Sequence, residues 1–570
     1  MTAYKIEVQQ SKNGLAILKI NDFFIHSKYD PHTEAERIIS KELSLDYVYI
    51  LFGYGMGYLK EALLQQHVAK ENIIIIDPVY EFLPVEEQEC TVISKIIKME
   101  LENMISDKLQ NLSTKIKVIC TPNYDKIFPK EYNDVLKSVL DVQIVHKISV
   151  NTANRYADVW QQNYIHNTYH AFKDNTIKVL NKKYHHPIII ASGGPSLTKQ
   201  LPLLKQMQNK VIILAAGSTV NSLLATGIEP NYIVTVDAGV ENYHHFQNIQ
   251  VKNSKLLYHL GSHYKIQDEF TNQKYSFLEL IDLEFAKQLK NLLGLEPPLM
   301  RGGGSVANFA FSIAAYMTTG PIAFIGQDLA YTNNLTHANN NKYSQAIDDN
   351  YKKQRGMFEV EGYFGDKVLT DYAFYSMKKN FEITNSLLVH ESPIFNCTEG
   401  GLCIEGIKQC SFDEFYKNFV KPFEDSVAES TEITEEKKGD LEEYKKALNN
   451  QLQMYDKLIK EMDYAILLLT KNRSTIAFEP NVVKNLNKLD KLAERLIPQL
   501  FIQRIVEPIT LDVLNKYPAK KYESQEEAYI HIFAKNKDLY TRLLVALKHA
   551  KQYTIETLKK VEESSEWKQS

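Results

Sequence analysis

The sequence predicts an α/β protein in which a Rossmann-like central domain follows a smaller α/β domain and precedes a C-terminal helical bundle. Three observations carry that reading. Ile188 to Leu197 runs Ile-Ile-Ile-Ala-Ser-Gly-Gly-Pro-Ser-Leu, a buried strand, a tight glycine turn and the start of a helix. Short apolar runs recur after it, several closed by small or polar residues, as in an open parallel sheet. From Leu441 onward the apolar residues instead fall at steps of three and four, the period of an amphipathic helix.

A chain of 570 residues exceeds what one hydrophobic core supports. Shifts in pattern divide it into an N-terminal α/β domain (1–148), a helical linker (149–186), the central domain (187–410) and a C-terminal helical domain (411–570). Hydrophobic content of 44% and charged content of 24% are those of a soluble globular protein. A net charge of −4 gives no overall signal for nucleic acid or an anionic membrane. The five cysteines, Cys90, Cys120, Cys397, Cys403 and Cys410, are odd in number and include no Cys-x-x-Cys, so neither a disulfide framework nor a zinc site is implied. No apolar run suits a signal peptide or a membrane span. A cytoplasmic protein without membrane insertion is expected.

In the first domain, Tyr47 to Phe52 is a β-prone run followed by Gly53, Gly55 and Gly57. An apolar helix pattern at Leu59, Ala62 and Leu63 leads to a second strand, Ile73 to Ile76, which ends in Asp77. Strand, glycine turn, helix and a strand ending in a carboxylate is the arrangement of a nucleotide-binding βαβ half, with Asp77 spaced to reach a ribose. The bulky Tyr54 and Met56 between the glycines favour instead a structural or assembly domain, and whether the turn holds a cofactor stays open. Ser149 to Asn181 reads as one or two connecting helices, ended by His185-His186-Pro187. That histidine pair has no second ligand cluster beside it and reads as linker.

In the central domain Val211 to Ala215 precedes Ala216-Gly217-Ser218, Tyr232 to Val236 precedes Asp237-Ala238-Gly239, Leu256 to Tyr258 forms a further strand, and Ile322 to Ile325 precedes Gly326-Gln327-Asp328. Ligands bind beyond the carboxyl ends of such strands, so these termini converge on one site. At the Gly193-Gly194-Pro195-Ser196 turn, free N–H groups and a helix dipole suit a phosphate, although the stretch is neither a Walker A loop nor Gly-x-Gly-x-x-Gly. Arg301-Gly302-Gly303-Gly304-Ser305 precedes an apolar helix, with Ser305 as N-cap and Arg301 available to an anion. Tyr331 and His337 lie just past Asp328. Asn396-Cys397-Thr398-Glu399-Gly400-Gly401 suits hydrogen bonding to a base or sugar. The polar stretch Asn339 to Gly365 is a candidate lid.

After the glutamate-rich stretch Glu424 to Glu443, a solvated face or linker, one long amphipathic helix starts at Leu441. Shorter helices follow around Val482 to Phe501 and Glu527 to Val561. This bundle packs onto the rest of the chain or offers a surface to a helical protein partner.

Three of these segments, Ala191 to Leu197, Phe324 to Thr332 and Asn396 to Gly401, together with His26 to Pro31, closely resemble the motility-associated factor (Maf) family of flagellin glycosyltransferases. The central segment is also similar to bacterial sialyltransferases, which implies a sialyltransferase-type central domain. The resemblance implies transfer of a nonulosonic acid, of pseudaminic or legionaminic type, from its CMP-activated form to Ser or Thr of flagellin in support of motility. It places Gly193, Gly194, Pro195 and Ser196 against the donor nucleotide with Gly217 and Ser218 nearby. Asn396 and Thr398 would hold cytidine and ribose, and Asp328 and Tyr331 would face the donor phosphate and sugar. Gln327, in the same motif, joins this donor-binding set, as do Arg301 and Ser305. The sialyltransferases' histidine base should fall near Gly362-Tyr363-Phe364, where no histidine occurs. The base is therefore open among His337, Asp237, Asp328 and Glu399. A CMP donor has one phosphodiester and no Asp-x-Asp motif is evident, so no cofactor is required and no metal is implied. Flagellin is the expected partner, nucleic acid is not, and a homo-oligomer stays open. Two other readings remain: a non-catalytic flagellin-binding assembly factor, and a pterin pyrophosphokinase-like enzyme, since the archaeal enzymes of that kind resemble the central segment alone.

Overall fold

The structure, a computed structural model, describes residues 4–566 apart from 45–46, 85–89, 96–97, 110–114, 342–343, 389, 391–392, 423–426, 428–438, 473–475 and 519–521. Most of the glutamate-rich stretch Glu424 to Glu443 lies outside the described residues. The chain divides into two compact units, Met1–Asn151 and Thr152–Ser570.

The first unit opens with an antiparallel meander, β1 (Ile6–Gln10), β2 (Ala16–Ile20) and β3 (Phe23–Phe24). A four-stranded sheet follows, built from β4 (Tyr47–Phe52), β5 (Ile73–Ile76), β6 (Thr91–Ile93) and β7 (Lys115–Cys120). Its order is β6-β5-β4-β7 and every pairing is parallel. Parallel strands covered on both faces read as continuous apolar runs, and Ile73–Ile76 is fully buried. The helix expected from Ser149 begins earlier, and the single helix Pro129–Lys173 carries the chain from one unit into the other.

The second unit is organised on a ten-stranded, all-parallel sheet. Its strands are β8 (Asn175–Thr176), β9 (Ile188–Ala191), β10 (Ile212–Ala216), β11 (Tyr232–Thr235), β12 (Lys255–His259), β13 (Lys274–Glu279), β14 (Leu299–Met300) and β15 (Ile322–Ile325). The hairpin β16 (Phe358–Glu361) and β17 (Lys367–Thr370) stands apart from the sheet, which β18 (Ile394–Asn396) and β19 (Lys408–Gln409) complete. The order is β14-β13-β12-β11-β10-β9-β15-β18-β19, with β8 beside β13. The chain winds outward from β9 to β14 and then returns to the other side of β9. That reversal between β9 and β15 is the topological switch point, where an open α/β sheet leaves its crevice.

Helices cover both faces. On one, Phe311 and Phe381 pack with Ile190, Leu214 and Phe324. On the other, Ile213 and Leu256 share one continuous core with Leu448, Leu458 and Leu547 of the C-terminal helices. The helical region is thus joined to the sheet by a common apolar layer. Its helices are Leu441–Lys471, Pro480–Leu496, Gln503–Lys516 and Gln525–Glu566. A buried polar knot adds direction to this packing. Asp282 accepts from the Tyr164 hydroxyl at 2.7 Å and from His259 Nε2 at 2.9 Å, and it pairs with Arg504. Gly261 N–H donates to His259 Nδ1 at 3.1 Å, which leaves the ring proton on Nε2 facing Asp282. Burial alone would raise the Asp282 carboxyl, but Arg504 and His259 outweigh it and hold the group well below its usual range.

In the first unit His26 is buried and accepts Met56 N–H through Nε2 at 3.0 Å. Burial lowers its pKa from 6.5 to about 4. Folding keeps this imidazole neutral where the unfolded chain would protonate it, so acid favours the unfolded state. The expected stability of this unit is level above pH 6.5 and falls down to pH 4, by up to about 1.4 kcal/mol per pH unit from this group. Urea unfolding read by hydrogen-exchange mass spectrometry on β4 and β5 peptides measures this, and His26→Gln should flatten the dependence.

Candidate functional site

The Gly193-Gly194-Pro195-Ser196 turn lies at the switch point as expected, but its amides are already engaged. Gly194 N–H donates to the Gly326 carbonyl at 2.8 Å, and Ser196 donates to Asp328 Oδ2 through its N–H at 3.2 Å and its hydroxyl at 2.6 Å. The helix begins at Leu197 with Ser196 as N-cap, so Pro195 precedes the first turn. Asp328 therefore occupies the anion position at this helix N-terminus that the sequence assigned to a donor phosphate. Glycines make the approach feasible. A Cβ at Gly194 would sit 2.2 Å from Asp328 Oδ2, and one at Gly401, where φ is +72°, would sit 2.0 Å from the Asp328 carbonyl oxygen. Asp328 is 1% exposed, and burial raises its pKa against the pull of the Ser196 bonds. Gly194, Ser196 and Asp328 form a staple, which takes up the amides expected to cradle a phosphate and the carboxylate of one of the four candidate bases.

The open side of the turn is Gly193. A Cβ there would meet Asn341 Nδ2 at 3.2 Å, Thr219 Oγ1 at 3.3 Å and His337 Cδ2 at 3.8 Å. Residues past β15 are folded back over the strand ends: Ala338 N–H donates to the Gly193 carbonyl at 2.9 Å, Asn339 N–H to Thr198 Oγ1 at 3.0 Å, and Asn341 Nδ2 to the Ser218 carbonyl at 3.2 Å. Below them lies the N-terminus of helix Gly217–Leu224, whose first amides have no intrahelical acceptor. Thr219 Oγ1 is fully buried without a hydrogen-bond partner among the described residues. The Phe246 ring lies close over Gly217 and explains the glycine there.

Asp237 follows β11, the neighbour of β10. Its backbone carbonyl accepts from Asn242 Nδ2 at 2.7 Å and from His263 N–H at 3.2 Å. Its carboxylate is exposed and has no hydrogen-bond or ion-pair partner among the described residues. Desolvation by the surrounding protein raises its pKa. An accessible, unpaired carboxylate with a raised pKa suits proton transfer.

The other expected site residues fall into separate groups. Asn396 and Thr398 are fully buried: Thr398 N–H donates to Asn396 Oδ1 at 3.2 Å, and Gln327 N–H donates to Thr398 Oγ1 at 3.2 Å. Gln327 in turn accepts the Ser192 hydroxyl at 2.5 Å. These three shape the turn after β15, and Asn396 Nδ2 is buried without a hydrogen-bond partner among the described residues. Glu399 accepts Phe412 N–H at 3.4 Å, while its carbonyl takes the Lys199 ammonium at 2.6 Å. The Tyr331 hydroxyl donates to Asp371 Oδ2 at 2.8 Å, beside Arg355, whose Nη2 lies 2.6 Å from the same oxygen. Burial and then Asp371 raise the Tyr331 pKa.

Ser305 caps its helix as expected, accepting Asn308 N–H at 3.3 Å. Arg301 follows β14, five strands from β9, or roughly 24 Å at ordinary strand spacing. Gly302 and Gly303 pack against Phe309 and Asn380. Arg301 and Ser305 are therefore not part of the Gly193 group.

The polar stretch Asn339 to Gly365, of which 342–343 lie outside the described residues, contains a helix, Asp349–Gln354, and the β16 strand. Thr219, Asn341, Arg355 and Asp371 were not singled out by sequence. Thr219 alone had a signal, following Gly217-Ser218 at a strand end.

The first unit's glycine turn is filled by its own chain. Cβ atoms at Gly53 and Gly55 would lie 2.5 Å from the Tyr124 and His26 rings, and Asp77 accepts Tyr54 N–H at 2.7 Å, Val79 N–H at 2.9 Å and the Tyr124 hydroxyl at 2.8 Å. Asp77 is fully buried, which raises its pKa. The carboxylate that the spacing could have offered to a ribose is taken up by these internal bonds, as in the structural reading of the turn.

Comparison with known proteins places the fold. Over 99% of this chain and 92% of the other, the chain superposes on the structure of a MAf glycosyltransferase from Magnetospirillum magneticum AMB-1, with a TM-score of 0.50 at 13% identity. The chain has the Maf glycosyltransferase fold. Residues 162–334 also match the family described as 6-hydroxymethylpterin diphosphokinase MptE-like. An uncharacterized protein of Treponema pallidum (strain Nichols) is 23% identical over 211 residues, 35% of this chain and 72% of that protein. No helix among the described residues is long and apolar enough to cross a membrane, and no group of three or more His, Cys, Asp or Glu among them is placed to hold a metal ion. On this Maf fold the staple and the exposed Asp237 carboxylate should respond differently to mutation. Asp328→Asn is expected to lower stability by roughly 1–3 kcal/mol, and Asp237→Asn by no more than about 0.5 kcal/mol, compared by thermal unfolding under circular dichroism.

Proposed function

We propose that the protein is a glycosyltransferase that moves a nonulosonic acid, of pseudaminic or legionaminic type, from its CMP-activated form to Ser or Thr hydroxyls of flagellin. The observation that carries this reading is the switch point of a Maf fold, where Thr219, Asn341 and His337 gather around Gly193 over β9 and β10, with the unpaired carboxylate of Asp237 following the next strand, β11. The three sequence motifs shared with that family support the donor and the acceptor.

In this reading the first amides of helix Gly217–Leu224 and the Thr219 hydroxyl receive the leaving phosphate, as a helix N-terminus does for anions. Gly193 leaves room for the nucleotide to approach the backbone. The acceptor oxygen bonds to the anomeric carbon, the bond from that carbon to the phosphate oxygen breaks, and CMP departs with the electron pair. Asp237 takes the hydroxyl proton, and His337 orients the donor from above Gly193. One phosphodiester needs no dinuclear metal clamp. The protein acts in the cytoplasm, on flagellin before assembly, and needs no cofactor.

A second reading has a specific observation behind it, the match of residues 162–334 to the MptE-like family. A diphosphokinase of that kind would form AMP from ATP with a hydroxymethylpterin and magnesium.

Intact-mass measurement on flagellin co-expressed with the chain and a CMP-nonulosonate pathway tests the first reading. A sugar increment on Ser or Thr is expected, and its absence despite confirmed donor supply, together with pterin-dependent AMP formation, would favour the second. Asp237→Asn should lower turnover by about 10²- to 10⁴-fold with donor affinity kept. Because a base must be ionised, turnover should fall as pH drops through the Asp237 pKa, and the raised value places that limb above the usual 3.8. A pH–rate profile measures it.

A further inference from the structure

Away from the strand-end crevice, a cavity of about 370 Å³ opens between helix Leu283–Leu293 and helix Gln503–Lys516. Phe285, Ile497, Val506 and Leu511 supply apolar walls, and Ile281 stands at the rim 68% exposed. The surface continues beyond the cavity. Leu283 and Leu514 are 48% and 42% exposed, and Leu514 lies one helical turn past Leu511 on the same face. Exposed aliphatic side chains grouped around a concave floor mark an interaction site more strongly than the same residues scattered singly.

The floor is rigid. Arg504 and Asp282 form the buried ion pair described above, and Gln288 Nε2 donates to the Leu500 carbonyl at 3.1 Å. These bonds fix the spacing between the two helices, so a partner meets a preformed groove and less ordering opposes its binding. The charge at the groove is asymmetric. Asp282 neutralises Arg504, whereas Glu284 and Glu507 stand at the rim. Glu284 touches Lys287 at 2.5 Å, and Glu507 has no ion-pair partner among the described residues. The uncompensated charge around the opening is negative.

We propose that this groove docks an amphipathic helix of a protein partner, whose apolar stripe enters between Phe285 and Leu511 and whose flanking lysine or arginine residues face Glu284 and Glu507. From Gln503 to Leu511 the wall spans a little over two helical turns, roughly 12 Å. That length accepts side chains at i, i+3 or i+4, and i+7 of the incoming helix. The partner is recognised by shape and by positive flanks, independently of the transferase chemistry.

The test uses the full chain and synthetic helix-forming peptides of about four turns, each with one leucine stripe flanked either by lysines or by glutamates, with binding read by fluorescence anisotropy. The lysine-flanked peptide should bind at least about tenfold more tightly than the glutamate-flanked one, and added salt should narrow the difference. Ile281→Glu and Glu507→Lys, both exposed changes that leave the core intact, should each weaken the lysine-flanked peptide by about tenfold or more. Three outcomes would overturn the proposal. One is the absence of binding by the lysine-flanked peptide while circular dichroism reports a folded chain. Another is equal binding of both peptides, or binding indifferent to the two substitutions. The third is concentration-dependent self-association abolished by Ile281→Glu, which would assign the groove to a second copy of this chain.

Discussion

The arrangement of the candidate site depends on one contact, the bond of Asp328 to Ser196 at the start of helix Leu197–Met207. Asp328 reaches that position because β15 lies beside β9, and it brings a negative charge to the helix end where the dipole favours one. Three glycines exist for its sake. Gly194 and Gly401 leave it space, and Gly326, at φ +61°, lets the chain turn under Ser192. With the amides of Gly194 and Ser196 committed, the phosphate contact we propose moves one strand over, to the start of helix Gly217–Leu224. The role of the Gly-Gly-Pro-Ser turn is then to hold β9, β15 and the 397–401 loop together so that Gly193 faces outward.

A second buried charge fixes the other end of the sheet. Asp282 collects Tyr164, His259 and Arg504, three residues far apart in sequence. A buried ion pair contributes little net stability once desolvation is counted, yet removing one partner leaves a costly bare charge. Its value here is placement. Apolar layers such as Leu448 against Leu256 can slide, whereas Arg504 has one register against Asp282. The C-terminal helices are thereby set at a defined position on the face that leads to β12 and Asp237.

Much of the architecture was legible in the sequence, because buried parallel strands are short apolar runs and the helix from Leu441 keeps its period for thirty-one residues. The expected strands at Ile188, Val211, Tyr232, Leu256 and Ile322 are all present. In the ten-stranded sheet the strands that escaped notice, β8, β13, β14, β18 and β19, are those whose residues are mixed or few, such as Lys274–Glu279 and Lys408–Gln409. Among the expected site residues, Gly193 and His337 lie close together, and Gly217 and Ser218 begin helix Gly217–Leu224 beside them. Asn341, Arg355 and Asp371 were not expected, because each acts through a contact 16 or more residues away that no local pattern encodes. Ser196 and Asp328, expected at the donor, bond to each other. Sequence identifies a polar group at a strand end without saying whether it turns toward a ligand or toward its own backbone.

The two units offer a controlled comparison on that point. In each, a strand ends in a glycine turn and the adjacent strand ends in an aspartate, Gly53 with Asp77 and Gly193 with Asp328. In each, the aspartate accepts backbone amides of the turn at 2.7 to 3.3 Å. The carboxylate is thus a built-in substitute for the anion that such turns otherwise attract. What separates the pair is the space left over. Around Gly53 and Gly55 the rings of Tyr124 and His26 fill it, and the turn becomes core. Around Gly193 the neighbours are the polar atoms of Thr219 and Asn341 and the edge of His337, groups that bind a polar ligand and pack poorly as core. A glycine turn followed by an aspartate at the next strand end is therefore a structural motif first. It becomes a functional one only where the surrounding side chains are polar and some, like the Thr219 hydroxyl, are left without a partner.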